Sequence, residues 1–216
     1  METVGILGGT GPAGKGVALR MASAGYDVVL GSRDSNRARE AAASFNVPLK
    51  GAITGASNEI ASACDLVVVA TPWDSAVATV TALGDQLAGK IVISMVNALT
   101  REGREVLPVY PPRGSMAAQL AFALPRSEIV GAFHHLPAAQ MQDLDSGLDA
   151  DVLVFSDHPD AIVRVVGIVD AMPGLRAVAA GSMSLASAIE AFTAVCVTVN
   201  IRHKAHSYVK LAGLDK

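Results

Sequence analysis

Aromatic side chains make up only 4% of the 216 residues, and Trp73 is the single tryptophan among them. A chain so poor in large rings must fill its interior with closely packed aliphatic side chains. Cysteine is scarcer still. Cys64 and Cys196 lie far apart, with no C-x-x-C spacing and no histidine-rich companion, so a disulfide framework and a zinc ribbon are excluded and two buried free thiols are expected. No long basic run occurs and the formal charge is -3, which leaves no footprint for nucleic acid or an acidic membrane surface; the expected partner is a small molecule. Nor does the chain start with a basic region followed by an apolar core. Its first apolar segment runs straight into glycines, and a cytoplasmic protein is expected.

What the chain has instead is 51% hydrophobic residues and 20 glycines. That balance suits a parallel sheet of Val, Ile and Leu with helices on both faces. The mean hydropathy of +0.40 draws attention to the window from Ala177 to Ile201. Its small residues, together with Ser182, Ser184, Ser187, Glu190 and Asn200, fit a buried or dimer-facing helix better than a membrane span. The length allows one sizeable core, or one nucleotide-binding domain plus a small appendage, and excludes two large domains.

The apolar run Val4 to Leu7 leads into Gly8-Gly9-Thr10-Gly11-Pro12-Ala13-Gly14, and an amphipathic segment follows. From Gly9 this is G-x-G-x-x-G in its proper setting between strand and helix. The glycines permit a tight turn, the approach of a pyrophosphate to the backbone, and close packing of helix on strand. Amides at the helix start then face the anion. The second strand, Tyr26 to Leu30, closes a βαβ unit and ends in Gly31-Ser32-Arg33. An acidic residue at that point would read a ribose 2′-hydroxyl; a hydroxyl and a guanidinium, joined by Arg37 from the next helix, suit a 2′-phosphate and favour NADP over NAD. Asp34 is expected in the first turn of that helix.

Further on, Gly51 to Thr54 predicts a weak strand, Ser57 to Ala63 a short helix, and Asp65 to Ala70 a strong strand ending in Thr71-Pro72-Trp73. In the order 3-2-1-4-5-6 this fourth strand lies beside the first, so Trp73 becomes a wall of the dinucleotide crevice. A helix is expected over Asp74 to Leu87 and a strand over Ile91 to Met95, bringing Asn97 to the same rim. Thr100 to Gly114, with three prolines, predicts a loop able to cover the site. A helix over Met116 to Leu124 and a strand over Ile129 to Phe133 then deliver His134 and His135 to the rim. The acidic stretch from Asp143 to Asp151 lacks calcium-loop spacing. One more strand-helix-strand unit follows (Val152 to Phe155, Pro159 to Ala171, Leu175 to Ala179), and then a long small-residue helix suited to dimerisation.

The rim offers few ionisable groups. Adjacent positions such as His134 and His135 point opposite ways at a strand end and have no Cys, Asp or Glu at ligand spacing, so no metal site is expected. Either imidazole can serve as an acid-base group beside a nicotinamide, or simply pack. Hydride transfer between two held cofactors requires positioning and no proton donor from the protein. An NADPH-dependent reductase of a small carbonyl or imine, with one histidine as acid, and a non-catalytic NADP-sensing module both stay open.

At the level of motifs the chain resembles the coenzyme F420-dependent NADP oxidoreductases. The resemblance rests on Leu7 to Gly16, Gly31-Ser32-Arg33, Ala63-Cys64-Asp65, Thr71-Pro72-Trp73, and His134 with Leu136-Pro137-Ala138-Ala139. It implies hydride transfer between a 5-deazaflavin, coenzyme F420, and NADP, reversible and without metal. It also implies that Gly9, Thr10, Gly11, Pro12 and Ala13 hold the pyrophosphate, and that Ser32, Arg33 and Arg37 hold the 2′-phosphate, Arg37 standing where a lysine is usual. Thr71, Pro72, Trp73 and Val77 are implied along the NADP site, where Asn97 is expected from its place on the rim alone. His134, Leu136, Pro137 and Ala138 are implied where the two rings meet, with the deazaflavin against their backbone. The chain departs from the archaeal pattern at Met95-Val96-Asn97 and from Thr100 to Gly114. The expected architecture is a doubly wound α/β Rossmann-like domain over residues 1–142, with a C-terminal subdomain over 143–216 that closes the deazaflavin cleft and makes a homodimer contact.

Overall fold

The computed structural model describes residues 2–214. The chain starts with β1 (Thr3–Leu7), α1 (Pro12–Ala24), β2 (Asp27–Ser32), α2 (Ser35–Ala43), β3 (Ile53–Ser57), α3 (Asn58–Ser62) and β4 (Leu66–Val69). It goes on through α4 (Trp73–Ala82), α5 (Gly84–Leu87), β5 (Ile91–Ser94), β6 (Leu99–Glu102), β7 (Glu105–Pro108), α6 (Met116–Ala123) and β8 (Glu128–Gly131). The remainder is α7 (Ala138–Met141), β9 (Ala150–Phe155), α8 (Pro159–Asp170), β10 (Leu175–Gly181) and α9 (Ala186–His203).

One sheet runs β10-β9-β8-β5-β4-β1-β2-β3, so the order expected for the first six parallel strands holds, with β8 as the sixth. Residues after 143 continue this same sheet. β9 joins β8 antiparallel through Gly131 and Phe155, and β10 pairs parallel with β9. The alternation of the strands explains the two covered faces. Ile6, Val68, Ile93 and Val130 face the layer that holds α1 and α8, while Leu7, Val67, Val69, Val92 and Ile129 face α4 and α6.

Three local expectations are corrected. The predicted helix over Asp74 to Leu87 breaks at Leu83 into α4 and α5. Thr100 to Gly114 is not simply a loop: β6 and β7 form an antiparallel hairpin with Glu102 opposite Glu105. Gly103 takes φ 60 in its two-residue turn, the conformation a tight hairpin demands. Among the described residues this hairpin lines neither cleft described below. It packs on α9, where the Thr198 hydroxyl accepts from the Val106 amide at 2.9 Å. Finally, Cys64 is buried as expected, whereas Cys196 is only half-buried.

The segment Met183–His203 is long and apolar enough to cross a membrane by length and composition. In the fold Glu190, Thr193 and Thr198 bond to other parts of the domain. The Glu190 carboxylate accepts from the amides of Met116 and Ala117 at 2.7 and 2.8 Å and so holds the start of α6.

Candidate active site

The first cleft, of about 450 Å³, lies where β1 and β4 end side by side. Gly8 takes φ 69, and a Cβ on it would sit 2.8 Å from the Thr71 methyl, so only glycine lets the two strand ends meet. Asn58 Oδ1 accepts from the Gly8 amide at 3.2 Å and steadies the turn from below. A Cβ on Gly11 would meet nothing nearer than the Gly8 carbonyl at 3.9 Å; it would fill the cleft itself. Helix α1 opens with Pro12, and its first internal bond is from the Lys15 amide to the Gly11 carbonyl. The amides of Ala13 and Gly14 therefore have no partner within the helix, the arrangement that receives a phosphate.

At the far end of this cleft stand Ser32, Arg33 and Arg37. Asp34 is the N-cap of α2, and its carboxylate accepts from the amides of Asn36 and Arg37 at 2.9 and 3.3 Å. With Asp34 committed to the helix, the end of β2 and the first turn of α2 present a hydroxyl and two exposed guanidinium groups. The opposite wall is Thr71, Pro72 and Trp73, the last 37% exposed; the Thr71 hydroxyl oxygen is buried and unpartnered among the described residues. These features fit a dinucleotide with a 2′-phosphate.

A second cleft of about 370 Å³ is lined by the backbone stretch His134 to Ala139 and by Thr193, Cys196, Val197, Asn200, His206 and Ser207. The two clefts share a wall. Asn97 lines the first, His134 and Thr193 line the second, and the Asn97 side-chain amide donates to the His134 carbonyl at 3.1 Å. Asn200 Oδ1 accepts from the amide and hydroxyl of Ser207, both at 2.7 Å, and so fastens the tail at the mouth of the second cleft.

Neither histidine is a free acid-base group. The His134 ring is stacked on Phe155, both its nitrogens are buried without partners among the described residues, and burial, helped by the neighbouring His135, lowers its pKa to about 3. His135 Nε2 donates to the Ile189 carbonyl at 2.7 Å, and its pKa is also lowered by burial against that bond. Burial pushes the Glu190 carboxyl up to about 7, against the pull of its two amide donors. The site thus offers two neutral, buried imidazoles, and its chemistry rests on holding ligands in place.

Over 209 residues the chain is 34% identical to the F420-dependent NADP reductase of Methanocaldococcus jannaschii, covering 93% of each protein. It is 30% identical to the enzyme of the same description from Methanothermobacter thermautotrophicus, covering 98% of this chain and 93% of the relative. The family model described as NADP oxidoreductase coenzyme F420-dependent matches residues 3–98. The chain belongs to this F420-dependent NADP reductase family. A solved structure from Arthrobacter sp. FB24 shares the fold at a TM-score of 0.75 and 24% identity, covering 98% of this chain and 99% of that one.

Of the residues expected in the site, Thr10, Gly11, Ala13, Ser32, Arg33, Arg37, Thr71, Pro72, Trp73 and Asn97 meet in the first cleft. His134, Leu136, Pro137 and Ala138 meet in the second. Three others stand elsewhere. Gly9 is buried behind the turn, its amide donating to the Ile6 and Gly31 carbonyls; the Pro12 carbonyl accepts from Gln142 Nε2; and Val77 packs on the core beneath α4. Sequence reasoning missed Asn58, Ser75 and Thr79 in the first cleft, and Thr193, Asn200 and Ser207 in the second. A polar residue in an otherwise apolar helix, Thr193 or Asn200, was the available signal for the latter.

Proposed function

We propose that the chain transfers a hydride reversibly between reduced coenzyme F420 and NADP, the cofactors named for its family. The observation that carries this reading is the pair of clefts with one common wall, one built around a phosphate-binding turn and the other around a stretch of backbone. Bound there, the deazaflavin supplies the hydride and the nicotinamide ring accepts it, giving oxidised deazaflavin, NADPH and a proton released to solvent. The protein's part is to hold. Ala13 and Gly14 present amides to the pyrophosphate, Ser32, Arg33 and Arg37 grip the 2′-phosphate, and Trp73 covers the dinucleotide. Residues 1–142 form the NADP-binding part, and 143–216 complete the deazaflavin cleft through Thr193, Asn200 and Ser207.

Anaerobic mixing of the protein with NADPH and oxidised F420 tests this directly: rapid loss of the deazaflavin absorbance is expected with NADPH and not with NADH. Arg33→Ala should raise the KM for NADP about tenfold to a hundredfold while kcat falls far less, since a charge-assisted phosphate contact contributes about 1.5–3 kcal/mol to binding. Equal use of NAD and NADP by the wild type would defeat the 2′-phosphate assignment.

The proposal extends to a homodimer. Phe192, Val195 and Val199 are exposed along α9, beside Tyr110, and a groove of about 680 Å³ runs between α9 and the hairpin. Such a face supports a contact with a second copy. Light scattering should give about twice the 22.1 kDa chain mass, and Val195→Asp should return the monomer. A monomeric wild type ends this part of the proposal.

A further inference from the structure

The common wall is held by one small group of hydrogen bonds. Asn97 Nδ2 donates to the His134 carbonyl at 3.1 Å, the Thr193 hydroxyl lies 3.0 Å from Asn97 Oδ1, and the same hydroxyl lies 3.3 Å from the His134 carbonyl. A hydroxyl has one proton, which these two acceptors share. The three residues come from the end of β5, the turn after β8 and the middle of α9. The chain reaches His134 through Phe133, a buried aromatic residue at φ 66. Bulky residues adopt that left-handed conformation only where the surroundings impose it. The next carbonyl along the chain is the one that Asn97 and Thr193 both hold.

We infer that Asn97 and Thr193 are positioning residues: through the His134 carbonyl they fix the separation of the two clefts, and with it the distance across which hydride passes. This rests on the proposed hydride transfer. It also gives Asn97 a different task from the cofactor contact expected of it. One of its N–H groups and one lone pair of its oxygen are spent on the wall, and the contact it makes with the dinucleotide is secondary to that.

Single-turnover mixing of each variant with oxidised F420 and NADPH, with deuterium at the transferred position, reads the transfer step. NADPH fluorescence reads binding separately. Asn97→Ala and Thr193→Val should each slow the isotope-sensitive step about tenfold to a hundredfold, since a misplacement of about 1 Å costs that much. The NADPH dissociation constant should move less than about threefold. The double variant should be no slower than the slower single one, because both residues act on one carbonyl, and Thr193→Ser, which restores the hydroxyl, should recover most of the rate lost in Thr193→Val. A lowered melting temperature with an unchanged transfer rate overturns the inference, as do additive losses. If Asn97→Ala does not fold, the contrast between Thr193→Val and Thr193→Ser decides alone. A wild type that binds NADPH and never bleaches F420 refutes the activity itself, and is told apart because no variant is needed to see it.

Discussion

Brought from about pH 7.5 to about pH 4, the wild-type chain will lose about 3 kcal/mol of stability that a His134→Phe variant keeps. The sign follows from where the proton binds. An unfolded histidine titrates at its ordinary value of 6.5, whereas His134 in the fold titrates near 3 because its ring is fully enclosed, with His135 beside it, and its nitrogens have no partner among the described residues. Above the unfolded value both states are neutral and the residue contributes its full share. Below it the unfolded chain takes a proton that the folded one refuses, and stability falls by about 1.4 kcal/mol per pH unit until the folded value is reached. Phenylalanine keeps the stacking on Phe155 and removes the two unpaired nitrogens, so near neutral pH the variant should lie within about 1 kcal/mol of the wild type. Glu190 works in the opposite direction. Its carboxyl is raised to about 7, so its contribution is complete below the ordinary carboxylate value and is lost as pH rises through 7. That effect is common to both proteins and cancels in their difference. Urea denaturation at three pH values checks the prediction; parallel curves for wild type and variant would sink it. The same neutral ring means that His134 should contribute no inflection to kcat for the proposed hydride transfer between about pH 6 and 9.

What was legible in the sequence was legible because it is local. The glycine turn, the end of β2 with Ser32 and Arg33, and the end of β4 with Thr71 to Trp73 each put their chemistry within a few residues of a strand, and a strand's period of two fixes which face it serves. Asp34, expected in the first turn of α2, caps that turn from one position earlier for the same local reason. The second cleft was legible only in part. His134 to Ala139 are contiguous, but Thr193, Asn200 and Ser207 arrive from α9 and the tail, and no spacing in the sequence reports how a helix lies across a sheet edge. The hairpin β6–β7 escaped because its strands carry Thr100, Arg101, Glu102 and Glu105, too polar to alternate, although Gly103-Arg104 was a turn signal. The two readings of the histidines, acid-base group or packed ring, stay open in the sequence because a sequence gives no burial: nothing in His134-His135 says that one ring lies on Phe155 and the other is tied to Ile189.

Replacing Arg20 by methionine should cost about 3–5 kcal/mol at neutral pH, because several charge-assisted hydrogen bonds to carbonyls are lost together. Arg20 is 1% exposed and lies on α1, one of the elements that the glycine turn sets in place. Its Nη1 donates to the Pro173 carbonyl at 2.6 Å; its Nη2 donates to the Gln140 and Asp143 carbonyls at 2.6 and 2.8 Å and reaches the Ser146 hydroxyl at 3.3 Å. One guanidinium thus closes the loop after α7 and the turn before β10. Burial lowers its pKa, with Asp143 opposing, yet a guanidinium stays protonated at any pH the fold survives. Methionine matches the stem but takes away the charge-assisted bonds: the Pro173 carbonyl loses the donor that Arg20 gives it, while the Gln140 and Asp143 carbonyls keep only longer local bonds from Ser146 and Asp143, and a bond to a charged group contributes about 1.5–3 kcal/mol. Lysine brings a single ammonium that cannot span all three, so Arg20→Lys should recover only part of the loss. The damage should be directional. Gly16 lets α1 pack directly on Met141, and Gln142 ties α7 to Pro12, so freeing the loop loosens α7 against α1 and with it the Leu136 to Ala139 backbone of the second cleft. Hydrogen exchange should therefore quicken from Gln140 to Leu148 in Arg20→Met and leave β1 to β5 at wild-type protection, scaled for global stability. Denaturation within about 1 kcal/mol of wild type, or uniform exchange across the sheet, would show that Arg20 fills space and holds nothing.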